Sequence, residues 1–207
     1  MRSPTGFSFS VGNDKMNRVP SFSVMPHTTC NPSAPCMKSG CYAWRIAARR
    51  PRVRLAYMDN TRMLRDEGKW TEFMEDAIAF IRFKRVTKFR FNVAGDIFDV
   101  RYGIAMCEIA RACPETKFWT YTKQWDVLRE VLEETDVPGN LTIILSCWND
   151  FQPPADLKAK FPTAHMDDGL HRELIPTKRA TVCEGDCENC PICANMKAGM
   201  SVIFHKH

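Results

Sequence analysis

The sequence lacks any apolar run approaching the roughly 18 residues of a membrane span, so no crossing helix is expected. Its opening residues, MRSPTGFSFSVGNDK, lack the continuous apolar core of a secretory signal. Strong charge of either sign is missing too, because 29 basic and 24 acidic residues leave a formal net charge of +5. Residues 28–44, TTCNPSAPCMKSGCYAW, hold too much proline, serine and glycine for a helix or strand, so they read as a loop. The absent span and signal point to the cytoplasm. A length of 207 residues, 44% of them apolar, suits one globular domain over 1–207 with its own core.

What the chain does have is cysteine, ten in all. The cytosol disfavours structural disulfides, so clustered thiols there point to metal ligands. Cys30, Cys36 and Cys41 fall in the proline-rich loop as C-x5-C-x4-C. Cys183, Cys187, Cys190 and Cys193 form C-x3-C-x2-C-x2-C near the C-terminus. Spacings this short let one turn of chain wrap several thiolates round one centre. Zinc needs four ligands in a tetrahedron, and a cubane cluster one thiolate per iron. Zinc sites more often pair two C-x2-C knuckles across a longer gap, whereas closely spaced single cysteines are commoner in iron–sulfur proteins. The metal at 183–193 therefore stays open between zinc and iron–sulfur. Cys107 and Cys113, on an expected helix, read as small core hydrophobes. Cys147 ends an expected strand, where active sites gather in α/β folds.

Strand patterns at 19–25, 88–96, 117–123 and 141–148, and shorter ones in PTAHM, RATVC and MSVIFH, alternate with helical patterns at 70–83, 100–112 and 124–134. A further helix is expected from about Tyr42. Alternation of this kind predicts an α/β fold with a parallel sheet of about six strands, either open or an incomplete barrel. Ligands of such sheets bind beyond the C-terminal ends of the strands. The residues expected there are the 28–44 loop, Gly95, Asp96 and Asp99, Thr122 and Lys123, Cys147, Trp148 and Asn149, Asp167 and Asp168, and the 183–193 loop. Both cysteine loops are thus expected at one end of the sheet.

The ordered motifs C-x5-C-x4-C-Y-A, FRFNVAGDIFD, FWTYTK and the terminal four cysteines resemble a phage family, the gene product eighty-eight-like proteins. Such proteins look like distant relatives of the radical S-adenosylmethionine (SAM) superfamily. That resemblance implies an incomplete (β/α)6 barrel with a [4Fe–4S] cluster in the loop after the first strand. Cys30, Cys36 and Cys41 would hold three irons and leave the fourth open to chelate SAM. Ala94, Gly95 and Asp96 would take the part of the motif that receives the SAM amino group. The wider cysteine gaps, and Asp where that motif ends in Glu, depart from the superfamily's pattern. The four C-terminal cysteines would hold a second iron–sulfur cluster or zinc, or else the two loops would together close one shared cluster. A reductant such as ferredoxin or flavodoxin is the implied partner, and the cytoplasm of an infected host cell the implied compartment.

Other features have a plainer reading beside the functional one. Arg45, Arg49, Arg50, Arg52 and Arg54 form either a phosphate-binding patch for nucleic acid or a solvated helix face. Trp119, Tyr121 and Trp148 are stacking platforms or core. Asp167 and Asp168 are an acid/base pair or turn formers. Lys123 binds an anionic group or forms a salt bridge. Asp96 receives an amino group or caps the next helix. His205 and His207 belong to a tail or fold back as ligands. Three classes of function remain open: a radical-SAM-like enzyme, an electron carrier or redox sensor, and a zinc-stabilised nucleic-acid-binding module.

Overall fold

The computed structural model describes residues 1–13, 16–38, 40–148, 150–169 and 172–205. The strands are β1 (Phe9–Ser10), β2 (Ser21–Phe22), β3 (Lys88–Phe91), β4 (Lys117–Thr122), β5 (Leu141–Cys147), β6 (Thr163–Asp167), β7 (Ala180–Val182) and β8 (Ser201–His205). They form one sheet in the order β1-β2-β3-β4-β5-β6-β8-β7. Only β1–β2 is antiparallel; every other neighbouring pair is parallel. The α/β class and parallel sheet are as the sequence predicts. The count rises from about six to eight, because the two-residue β1 carries no alternation to read and each of the three late segments forms a strand.

The helices are α1 (Tyr42–Arg49), α2 (Pro51–Arg65), α3 (Trp70–Lys84), α4 (Val100–Ala112), α5 (Trp125–Glu134) and α6 (Ala155–Lys158). The helix beginning at Tyr42 is split by Pro51, which occupies the first position of α2, where its missing N–H costs nothing. No described helix is long and apolar enough to cross a membrane.

Alternation along the strands divides the interior in two. Phe89, Phe91, Phe118, Ile143 and Leu145 pack against α3, α4 and α5 in the larger core. Their neighbours Trp119, Ile144, Ala164 and Val202 face the other side, where no α-helix covers them. There they meet Met16, Val19, Ala194 and Met196, from the segment before β2 and the segment joining β7 to β8. At Gly103 a Cβ would fall 2.3 Å from a Val131 methyl, so α4 and α5 approach as closely as they do only because that position is glycine.

Candidate metal centre

The loop after β2 is pinned at its base to the loops after β3 and β4. The buried Thr29 hydroxyl donates to Met25 O (2.7 Å) and accepts from Asp96 N (3.3 Å). Asn31 Nδ2 donates to Lys123 O (3.0 Å), and Gln124 Nε2 donates to Thr29 O (3.1 Å). Beyond this base the loop makes one 3-10 turn, Pro35–Met37, and Cys41 then stands at the N-cap of α1. Cys30, Cys36 and Cys41 all line one cavity of about 390 Å³. The same cavity is walled by Gly95, Asp96, Lys123, Cys147 and Trp148, at the C-terminal ends of β3, β4 and β5. Residues scattered over more than a hundred positions of sequence therefore meet.

Asp96 does not cap a helix. The N-cap of α4 is Asp99, whose carboxylate accepts from Arg101 N (2.8 Å). Asp96 is 6% exposed and accepts Ile97 N on Oδ1 (2.8 Å) and Lys123 N on Oδ2 (2.9 Å). Its carboxylate thus ties the loop after β3 to the end of β4. Burial raises its pKa, opposed by these backbone N–H groups, the Thr122 side chain and the Lys123 charge. Gly95 is needed for a neighbouring reason. With φ of +78°, a Cβ there would lie 2.5 Å from a Val24 methyl and 2.7 Å from Thr29 Oγ1. Its small size lets the loops after β2 and β3 close on each other.

Two thiols of this loop, Cys30 and Cys36, are unfavourable as anions. Burial pushes Cys30 up to about 12, with further contributions from the Asp96 carboxylate and from Cys41 and Cys36. Burial also raises Cys36, and the Lys123 ammonium opposes it. A bound metal would displace these protons, because thiolate is the ligating form. Lys123 makes no ion pair with a described residue. Sequence patterns gave no reason to single out two further wall residues, Arg90 and His165. Both sit within strands, where a lone polar residue reads as tolerated core. His165 is 5% exposed, bonds Thr163 Oγ1 (3.0 Å), and is lowered to about 4, first by burial and then by Lys158.

The second cysteine loop is placed differently from expectation. Cys183 does follow the C-terminal end of β7, but the chain then runs back across the uncovered sheet face. Lys88, the first residue of β3, donates through Nζ to the carbonyls of Glu188 (2.7 Å), Cys190 (3.1 Å) and Cys187 (3.5 Å). Asn17 and Arg18, just before β2, bond Asp186 (2.8 Å) and Glu188 (2.9 Å). The loop is drawn toward the starts of the strands because it must cover Trp119 and Val202, and because Lys88 offers three donors there. Cys183, Cys187, Cys190 and Cys193 line a separate cavity of about 320 Å³, and Tyr121 OH donates to Cys193 Sγ (2.9 Å). Burial raises Cys193 to about 11, and the Tyr121 hydrogen bond opposes it.

Among the described residues, no three His, Cys, Asp or Glu side chains stand ready-arranged to hold a metal ion, and no disulfide joins the cysteines. Each loop presents a donor set on a shared cavity wall, not a closed polyhedron. In chemistry both sets fit a thiophilic centre: three sulfurs in the first, four in the second.

The remaining sequence candidates separate cleanly. Cys107 and Cys113 are core. Trp119 is 2% exposed and belongs to the smaller core, whereas Tyr121 and Trp148 reach the first cavity. Asp167 accepts Gly169 N (2.9 Å), a turn-forming role, and pairs with His205 (3.6 Å), so His205 lies with a carboxylate rather than with either cysteine group. Asn149 and His207 lie outside the described residues.

A family model described as Gene product 88 matches residues 7–169, about four-fifths of the chain. The match includes the first cysteine loop, Gly95, Asp96 and Lys123, and ends before the second cysteine loop. No curated protein and no solved structure matches.

Proposed function

The chain belongs to the Gene product 88 family, a phage gene-product family, and on that premise we propose that it is an iron–sulfur protein with an open, reactive centre. Cys30, Cys36 and Cys41 hold a [4Fe–4S] cluster, and SAM is the cofactor for the remaining position. The observation that carries this reading is the single cavity onto which three thiols from one loop and Gly95, Asp96 and Lys123 from two others all open. Three cysteines on one loop suit a cluster that keeps one iron for a ligand, with Cys147 lining the same cavity from the end of β5.

The cofactors supply the redox chemistry when bound; the chain binds and orients. Lys123, without an ion-pair partner among the described residues, suits the SAM carboxylate, and Asp96 the ammonium. The half-buried loop and the cavity walls limit water. A small electron-transfer protein, a ferredoxin or flavodoxin, is the reductant. The related expectation of an incomplete (β/α)6 barrel is supported by the run of parallel strands β2 to β6 and by a site at their C-terminal ends. The second loop, which replaces the usual crossover helix between two parallel strands, holds a structural zinc or cluster. The electron-carrier reading remains its alternative if SAM does not bind.

Anaerobic purification with iron, acid-labile sulfide and zinc analysis tests the reading. About four irons and four sulfides should be lost in Cys36→Ala and kept in Cys190→Ala. Calorimetric titration should then show SAM binding to the wild type. Zinc without sulfide overturns the cluster; a cluster that binds no SAM leaves an electron carrier.

A further inference from the structure

From Met16 to Met58 the sequence contains no aspartate or glutamate, but it contains seven basic residues. This stretch supplies the first cysteine loop, α1 and the first half of α2. Arg45, Arg49, Arg50, Arg52 and Arg54 are all exposed, and none forms an ion pair with a described residue. A merely solvated helix face usually mixes charges of both signs, at i and i+4 or across helices. This one does not.

The arginines also border a concavity. A second cavity of about 580 Å³ lies between α1, α2 and the start of the sheet, and adjoins the first through the shared wall residues Tyr42, Ala43, Arg90, Val93 and Ala94. Arg50, Arg52 and Arg90 line it, with serine and asparagine side chains, and no described carboxylate does. Arg90 carries a buried Nε without a hydrogen-bond partner, and its guanidinium lies 4.7 Å from the Tyr121 ring centre, over a wall of the first cavity. Arg45 stands on the first cavity's wall. Beside them Tyr42 is 53% and Trp44 37% exposed, and Trp44 stacks one face on His27 at 4.7 Å.

We propose that the second cavity and the arginine face of α1 and α2 form a groove for single-stranded nucleic acid, leading one nucleotide toward the first cavity. Five unpaired cations exceed what a single phosphate can neutralise, so the ligand is a polyanion. Exposed aromatic faces among arginines suit unstacked bases, which a duplex does not offer. A cavity of this size accommodates a nucleotide unit, whereas an anionic lipid surface needs no concavity. The groove names the substrate class of the proposed centre and rests on that reading for its chemistry. Binding is measured without turnover, so the two can fail separately.

The test is fluorescence anisotropy of labelled single-stranded DNA and RNA, each of about 20 nucleotides, with anaerobically purified full-length protein across about 50–200 mM salt. Saturable binding of at least one strand is expected, with a log K against log [salt] slope near about −3.5 for five phosphate contacts. Arg50→Gln/Arg52→Gln should weaken binding about tenfold or more and reduce the slope by about 1.4, with iron and sulfide content unchanged. Arg45→Gln/Arg54→Gln repeats the measurement if the first pair folds poorly. Lys84→Gln/Lys160→Gln, elsewhere on the surface, should leave the slope unchanged. Whether DNA or RNA binds more tightly identifies the source of the strand. No saturable binding of either strand, equal losses in the arginine and control pairs, or binding of phosphatidylglycerol vesicles with no binding of either strand would overturn the groove. Strand binding by protein devoid of iron sustains the groove while sinking the cluster.

Discussion

At the scale of single residues, Asp96 shows how structure changes an argument made from sequence. A surface helix cap tolerates Asn as well as Asp. The observed carboxylate instead uses one oxygen for Ile97 N and the other for Lys123 N, inside the fold. An amide can offer one oxygen only, so Asp96→Asn turns an NH2 group toward one of those N–H groups. An unsatisfied buried donor costs about 1–3 kcal/mol. The expected outcome for Asp96→Asn is a loss of stability in that range in urea unfolding, together with weaker SAM binding, because Lys123 is positioned through the lost bond. Unchanged stability would mean that Asp96 does not tie the two loops. A weaker SAM affinity at unchanged stability would return it to a purely ligand-facing role.

At the scale of elements, the segment joining β7 to β8 is the unusual part. Parallel neighbours normally need a helical crossover that brings its own backbone hydrogen bonds and apolar face. Here the crossover has only the 3-10 turn Cys193–Asn195, and Lys88 satisfies three of its carbonyls. Lys88→Met keeps the buried stem but removes every donor. It should lower stability by about 1–2 kcal/mol and speed transfer of the metal proposed for the loop to a chelator. An unchanged release rate would show that the cysteines alone hold the loop. The sequence made β5 legible through its apolar run and β4 through its aromatic and threonine residues, and α3, α4 and α5 through their 3.6-residue period. The meeting of Cys30, Gly95, Asp96 and Lys123 at one cavity was also legible, since each follows a strand, and strand ends converge in a parallel sheet. The insertion of β8 between β6 and β7 was not, because chain order carries no record of sheet order. Nor was the path of the 183–193 loop. It depends on Lys88 pointing away from the helices, and a single lysine at a strand start reads as solvent-facing.

At the scale of the whole molecule, the two interiors have different sources of stability. The larger core joins three helices to the sheet through fully buried residues such as Phe73, Phe89, Tyr102 and Leu128. The smaller is closed by the cysteine segment, with Cys183, Cys187 and Cys193 only partly buried against Trp119 and Val202. A cover with so little regular hydrogen bonding is where the proposed metal would act, its binding energy being folding energy for that part. Stability should then be uneven, with the metal-dependent part opening first. Removing the second centre with a chelator should raise hydrogen exchange in β7, in residues 183–200 and at the β8 edge. Amides of α3, α4 and α5 should stay protected, since these helices pack in the larger core and the loop in the smaller. Cys190→Ala should reproduce this pattern without chelator while retaining the first centre's iron. If chelation leaves 183–200 as protected as before, the four cysteines do not hold a structural metal. If α3, α4 and α5 lose protection at the same rate as the loop, the two cores form one cooperative unit, and the metal supports the entire fold.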